Sequence, residues 1–146
     1  MKLYTIGFTK KSAETFFGLL SQNGVQLLVD IRLKPDGQLA GFAKRADLPY
    51  FLHHLADGCQ YLHFSKLAPT KEILETYRSN KDWTTYEKLF IALMDERNVP
   101  ASLDRSVFEK QVVCLLCSEA SPQHCHRRLV VERLARSWGD VEIIHL

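Results

Sequence analysis

Apolar and polar residues follow one another along this chain in blocks that predict strands and helices in turn. Apolar runs predict strands at residues 3–7, 26–31, 60–64, 112–117 and 141–146. Apolar residues at helical spacing, bounded by capping residues, predict helices at residues 12–23, 47–57, 70–79, 83–96 and 125–138. In the second of these helices, Phe51, Leu52 and Leu55 are expected to face inward.

The alternation of strands and helices predicts an α/β fold with a mostly parallel sheet. The strands at 27–29 and 112–116 are almost entirely apolar, as in a sheet that helices cover on both faces. With 146 residues and 46% hydrophobic composition, we expect one domain over residues 1–146, a three-layer sandwich. The pattern does not determine strand order, so flavodoxin-like and rhodanese-like windings both remain open.

Composition limits the classes of partner. The net charge of +2 is too small for non-specific nucleic-acid binding by the whole protein, although a local basic patch would suffice. No apolar run approaches membrane-spanning length and no secretory leader is recognisable, so we expect a cytoplasmic protein without membrane contact. The four cysteines are then expected to be reduced thiols. Oligomeric state is left open.

Ionisable residues crowd one predicted strand-to-helix corner, in the segment Cys117-Ser-Glu-Ala-Ser-Pro-Gln-His-Cys-His-Arg-Arg128. In an open parallel sheet such corners border the crevice in which ligands bind. Asp30 and Arg32, which follow the second strand, should reach the same edge of the sheet. The sequence therefore predicts a site at this corner.

An anion is the expected ligand, because the helix that starts near Cys125 presents unpaired amides and a positive dipole end. Arg127 and Arg32 are expected to bind it, together with His126, and Lys44 from a glycine-containing loop is expected to close over it. For Arg127 the alternative is a salt bridge to Asp30 or Glu119 that ties the loop to the sheet.

Four residues are candidates for catalysis. Cys125 at the helix start is a candidate thiolate nucleophile, and Cys117 is a second. Glu119 and Asp30 are candidate acid and base groups, with an ion pair to Arg32 or Arg127 as the alternative for each. Adjacent ligands in the first turn of a helix diverge and the spacing matches no standard zinc site, so no metal site is expected. Gly7 lacks the further glycines of a dinucleotide fingerprint, and no cofactor is expected.

The combination of short motifs resembles the family called domain of unknown function 488. It comprises Thr5-Ile-Gly7, Asp30-Ile-Arg32, Gly41-Phe-Ala-Lys44, Leu67-Ala-Pro-Thr70, Cys117-Ser-Glu119 and Cys125-His-Arg127. The resemblance implies an α/β sandwich with a pocket built from the Asp-Ile-Arg and Cys-His-Arg segments, and it implies no activity. Phe8-Thr9 stands where many members carry His-Ser.

Three functions compete at this point. The first is an enzyme acting on a phosphate-bearing substrate, such as a nucleotide or a nucleic-acid end. The second is a non-catalytic module that binds a nucleotide or nucleic acid through the same pocket. The third is a purely structural network of salt bridges and hydrogen bonds.

Overall fold

A computed structural model describes all residues 1–146 as a single sheet of five parallel strands with helices on both faces. The elements are, in chain order, β1 (Lys2–Gly7), α1 (Ala13–Gln22), β2 (Leu27–Asp30), α2 (Leu48–Leu55), β3 (Gln60–His63), α3 (Lys71–Asn80), α4 (Trp83–Glu96), α5 (Ser106–Glu109), β4 (Val113–Cys117), α6 (His126–Trp138) and β5 (Glu142–His145). Two short 3₁₀ segments occupy Gln38–Ala43 and Ser65–Leu67. The predicted three-layer α/β sandwich is therefore confirmed.

The strand order is β3-β2-β4-β1-β5, and every neighbouring pair is parallel. This order differs from the 2-1-3-4-5 order of flavodoxin-like sheets. In the register, Gly7 of β1 lies opposite Cys117 of β4, and Asp30 of β2 lies opposite Leu116. Residues that are distant in the sequence thus meet at one edge of the sheet.

The two faces of the sheet carry separate hydrophobic cores. One core packs α1 and α2 on the sheet through residues such as Phe16, Leu20 and Leu52. The other packs α4 and α6 on the opposite face through residues such as Phe90 and Leu134. Burial on both faces explains why β2 and β4 are almost uninterrupted runs of apolar residues.

Local signals explain where most helices begin. Ser12, Thr70 and Asp82 each accept a hydrogen bond from a backbone amide three residues later, which satisfies a donor that the helix cannot pair internally. Gly139 ends α6 in the left-handed conformation.

One expectation about local structure was wrong, and one element was not predicted. Leu55 is 52% exposed, because it is the last residue of α2 and no further helical turn follows it. Between α4 and β4, where no helix was predicted, the structure has the short helix α5, which packs Phe108 into the core. Four residues are too few to produce a helical period in the sequence.

The topology opens a crevice beside the carboxyl ends of β2 and β4. These strands are neighbours, but the chain leaves β2 for α2 on one face and leaves β4 for α6 on the other. Loops that part in this way create the ligand-binding crevice of open α/β sheets. None of the helices combines the length and the apolar character needed to cross a bilayer.

Candidate functional site

A cavity of about 370 Å³ occupies this crevice. Its floor consists of Cys117, Cys125 and His126, and its rim includes Arg32 and Glu119. Helices α3 and α4 form the wall opposite the sheet edge. The volume falls in the range of about 300–1,000 Å³ that is usual for small-molecule sites.

The three floor residues approach one another closely. Their sulfur and nitrogen atoms all lie within 4.8 Å of one another, and Nδ1 of His126 is 3.5 Å from Sγ of Cys117. The expectation that donors at 125 and 126 diverge was wrong, because Cys125 precedes the helix in an extended conformation, with φ −141° and ψ 136°. Its side chain therefore turns toward Cys117 rather than along the first helical turn.

The pKa values of the two floor thiols shift in opposite directions. The hydrogen bond from Cys125 lowers the pKa of Cys117, opposed by burial and helped by the backbone amide of Ser118 and the charge of Arg127. The same hydrogen bond, together with burial, raises the pKa of Cys125 well above its usual range. Cys117 is thus the more acidic of the two thiols.

A backbone carbonyl fixes the orientation of the His126 ring. Nε2 lies 2.8 Å from the carbonyl oxygen of Ile31, and a carbonyl oxygen only accepts, so Nε2 must carry the hydrogen. Nδ1, the other ring nitrogen, faces Sγ of Cys117. His126 is buried, and the hydrogen bond to the Ile31 carbonyl gives its Nε2 a partner.

Arg127 lies behind the floor rather than in the cavity. Its side chain is fully buried, and its guanidinium donates to the carbonyl oxygens of Glu119 and Ala120 and approaches Sγ of Cys125 at 3.6 Å. Its Nε has no hydrogen-bond partner. Arg127 does not line the cavity and forms no salt bridge to Asp30 or Glu119, because the loop after β4 turns its own carbonyl groups onto this side chain.

Gly7 allows the loop after β4 to cross the end of β1. A Cβ at residue 7 would lie 1.7 Å from the carbonyl oxygen of Glu119 and 2.9 Å from Nη1 of Arg127. Beside it, Thr9 donates from Oγ1 to the carbonyl oxygen of Ser118 at 2.6 Å. Only glycine fits this approach of two backbone segments.

Asp30 and Arg32 form a buried ion pair at the end of β2. Nε and Nη2 of Arg32 donate to the two carboxylate oxygens at 2.9 and 2.7 Å, and Tyr61 donates its hydroxyl to Asp30 at 2.5 Å. Burial and this hydrogen bond raise the pKa of Tyr61. Asp30 is fully buried and does not line the cavity. It therefore forms the ion pair with Arg32 that was the alternative to a catalytic role. Arg32 itself reaches the cavity rim.

The remaining candidates differ in position. Glu119 is exposed at the rim of the cavity. Lys44 follows the first 3₁₀ segment and is not part of the cavity lining. Cys59 and Cys114 are packed in the core beneath α1 and α2, as small buried side chains.

Most of the wall formed by α3 and α4 was missed in the sequence, where only Tyr86 was considered as a residue that could line the crevice. Lys71, Arg78 and Lys81 line the cavity from α3 and its end, and Trp83 and Tyr86 line it from α4. The Trp83 ring stacks between Tyr86, at 4.9 Å, and the exposed His124, at 5.2 Å. The basic residues of α3 could have indicated this wall in the sequence. Which way their side chains face, however, depends on how α3 crosses the sheet.

Comparison with known proteins gives one match. The family model for Domain of unknown function DUF488 matches residues 12–134, a span that contains both halves of the crevice. A search of curated proteins found no match, and neither did a search of solved structures.

Proposed function

Because the chain belongs to the family of Domain of unknown function DUF488, whose name assigns no activity, we propose a function from the crevice itself: an enzyme that acts on a phosphate-bearing substrate, either a nucleotide or a nucleic-acid end. The observation that carries the proposal is a cationic rim above a floor of buried ionisable groups.

The charge of the cavity lining favours an anion. Five cationic side chains contribute to it, namely Arg32, Lys34, Lys71, Arg78 and Lys81, against the two carboxylates Glu75 and Glu119. Lys71, Arg78 and Lys81 are exposed and make no ion pair within the cavity except the long contact of 3.8 Å between Lys71 and Glu75. A phosphate group would gain charge-assisted hydrogen bonds from such donors.

The aromatic wall favours a flat group next to that phosphate. His124, Trp83, Tyr86 and Phe90 stack in sequence at centroid distances of 5.2, 4.9 and 6.1 Å. His124 is the exposed end of this stack, and a nucleobase placed there would extend it. Stacking of a base on an aromatic side chain contributes about 1–3 kcal/mol.

The floor favours catalysis over binding alone. A module that only binds phosphate needs donors, which the rim already supplies, whereas two thiols and an imidazole at hydrogen-bond distance are groups that move protons and attack electrophilic centres. We assign the chemistry to Cys117, Cys125 and His126, with Glu119 as the acid or base at the rim. Asp30 acts as a positioning residue, because its carboxylate holds the Arg32 guanidinium. All four cysteines are free thiols, as expected of a protein in the reducing cytoplasm.

Binding is tested first. A panel of nucleotides and phosphate monoesters is titrated by calorimetry against the wild type and the double variant Lys71→Ala/Arg78→Ala. We expect binding of a phosphate-bearing ligand that weakens about tenfold or more, since each charge-assisted contact contributes about 1.5–3 kcal/mol. The matched control is Lys88→Ala/Arg136→Ala, which removes the same charge from exposed helix positions outside the cavity.

Turnover is tested with the ligands found in this way. We expect the wild type to convert one of them, and Glu119→Gln to lower kcat while calorimetric affinity is kept. Equal affinity of both double variants would overturn the phosphate site. Tight, salt-dependent binding without conversion of any ligand would instead leave the non-catalytic binding module as the function.

A further inference from the structure

The floor of the crevice has the composition of a metal site. Two sulfur donors and one imidazole nitrogen, from Cys117, Cys125 and His126, lie within 4.8 Å of one another, and all three side chains are at most 5% exposed. Thiolate and imidazole are the donors that zinc takes in proteins, in tetrahedral arrangements with metal–ligand distances of about 2.0–2.3 Å. Donors this close together can therefore reach one ion.

The His126 ring is already set for coordination. Its Nε2 donates to the Ile31 carbonyl oxygen, and its Nδ1 faces Sγ of Cys117. Histidines that bind metals regularly hold the ring in this way, by donating the second ring nitrogen to a carbonyl or a carboxylate.

The backbone brings the ligands from two elements. Cys117 ends the central strand β4, while Cys125 and His126 precede and open α6. Gly7 and Arg127 fix the loop between them, through the close approach to Glu119 and the hydrogen bonds to its carbonyl and that of Ala120. These contacts position the three donors.

The charges at this point would balance on binding of a divalent cation. Thiols release their protons when they bind a metal ion, and Nη1 of Arg127 lies 3.6 Å from Sγ of Cys125. An ion of charge 2+ bound by two thiolates and a neutral imidazole gives a neutral unit. Arg127 then stabilises the Cys125 sulfur from behind.

We propose that Cys117, Cys125 and His126 bind one Zn²⁺ ion whose fourth coordination position opens into the crevice. Three protein ligands and one open position are the pattern of zinc sites that take water or a substrate oxygen. All three ligands line the cavity, so the open position faces the volume between the cationic rim and the aromatic wall. With the ion bound, Cys117, Cys125 and His126 act on the substrate through the ion rather than as free thiols and a free imidazole, so this inference refines the role that the proposed function gives to the floor. Binding of the ion itself does not depend on the identity of the substrate.

The test measures metal directly. The chain is purified under a non-thiol reductant, stripped with a chelator, and titrated with Co²⁺, whose tetrahedral thiolate complexes absorb in the visible range and show a sulfur-to-metal charge-transfer band. We expect one Co²⁺ per chain with both features, displacement of Co²⁺ by one equivalent of Zn²⁺, and a rise in Tm of the stripped protein on adding Zn²⁺.

Matched variants locate the site. Cys117→Ser and His126→Gln should lose the charge-transfer band or shift its intensity, and should lose the Tm response. Cys59→Ala, which removes a buried thiol in the other core, should keep all three responses. A second readout, circular dichroism of the stripped proteins, verifies that each variant is folded before metal is added.

Two results would overturn the proposal. One is a wild type that gives no charge-transfer band and no Tm response, which would leave the floor as a thiol–imidazole pair. The other is equal metal binding by Cys117→Ser and Cys59→Ala. This test and the test of the proposed function can fail independently. A wild type that binds metal but no phosphate-bearing ligand would remove the proposed function and leave the metal site.

Discussion

Arg127 donates from Nη1 to the carbonyl oxygen of Glu119, so a buried cation holds a loop through its backbone rather than through a carboxylate. Nη2 donates a second hydrogen bond, to the carbonyl oxygen of Ala120 at 3.2 Å. The loop carries Cys117 at one end and Cys125 at the other. The guanidinium therefore sets the geometry of the floor without entering the cavity.

We expect Arg127→Met to destabilise the protein by about 2–4 kcal/mol, because two carbonyl oxygens lose their buried donors. Arg127→Lys should recover only part of this loss, since an ammonium cannot donate in the planar fork that the two carbonyls match. Urea unfolding measures both. A lysine variant as stable as the wild type would show that charge alone matters at this position.

Gly7→Ala should disrupt the same loop from the other side. The added Cβ would meet the Glu119 carbonyl oxygen at 1.7 Å, and relief requires movement of β1 or of the loop, at a cost of about 3 kcal/mol or more. Gly37→Ala is the matched control, because nothing lies within 4 Å of its Cβ. Equal unfolding midpoints for the two variants would contradict this contact.

The ion pair at the end of β2 should be a large contributor to stability. Asp30→Asn leaves Arg32 buried without its counter-charge, and we expect a loss of about 3–5 kcal/mol. Tyr61→Phe removes one hydrogen bond to the carboxylate and should cost about 1.5–3 kcal/mol. Asp36→Asn, in the exposed loop after β2, serves as control, and denaturant titration ranks the three.

Burial raises the pKa of Cys59 to about 11, which predicts a dependence of stability on alkaline pH. Between roughly 8.5, the pKa of a free thiol, and about 11, the unfolded chain has released this proton while the folded chain retains it. The free energy of unfolding should therefore fall as pH rises through this window. Cys59→Ala should fall less steeply between pH 8 and 10, and an unchanged slope would contradict the assignment.

Nucleotide binding should quench the fluorescence of Trp83, whose ring lines the cavity. The second tryptophan, Trp138, packs against Phe108 away from the crevice. Trp138→Phe should retain the full change on titration with a nucleotide, and Trp83→Phe should lose it. Ligands without a base are expected to give a smaller change than nucleotides of equal affinity.

Local patterning was enough to predict nearly every strand and helix. Burial on both faces makes β2 and β4 uniformly apolar, and caps such as Ser12 and Thr70 mark the helix starts in the sequence itself. Strand order was beyond reach, since a parallel βαβ unit has the same local pattern whichever strand it pairs with.

The floor and the wall of the site differ in how far the sequence predicted them. Cys117, Cys125 and His126 were singled out because they are close in the chain. The direction of the Arg127 side chain depends on a loop whose backbone carbonyls have no sequence signature. Lys71, Arg78 and Trp83 reach the cavity only through the long-range packing of α3 and α4.

Helix α3 buries none of its residues fully, and this has a consequence for how the protein can diverge. The core rests on α1, α2, α4 and α6, so the cations of α3 can be exchanged with little loss of stability. The cations of the rim and the hydrophobic core are therefore encoded largely in separate stretches of the chain. Relatives that retain the floor can acquire a different rim by a few substitutions in this one helix.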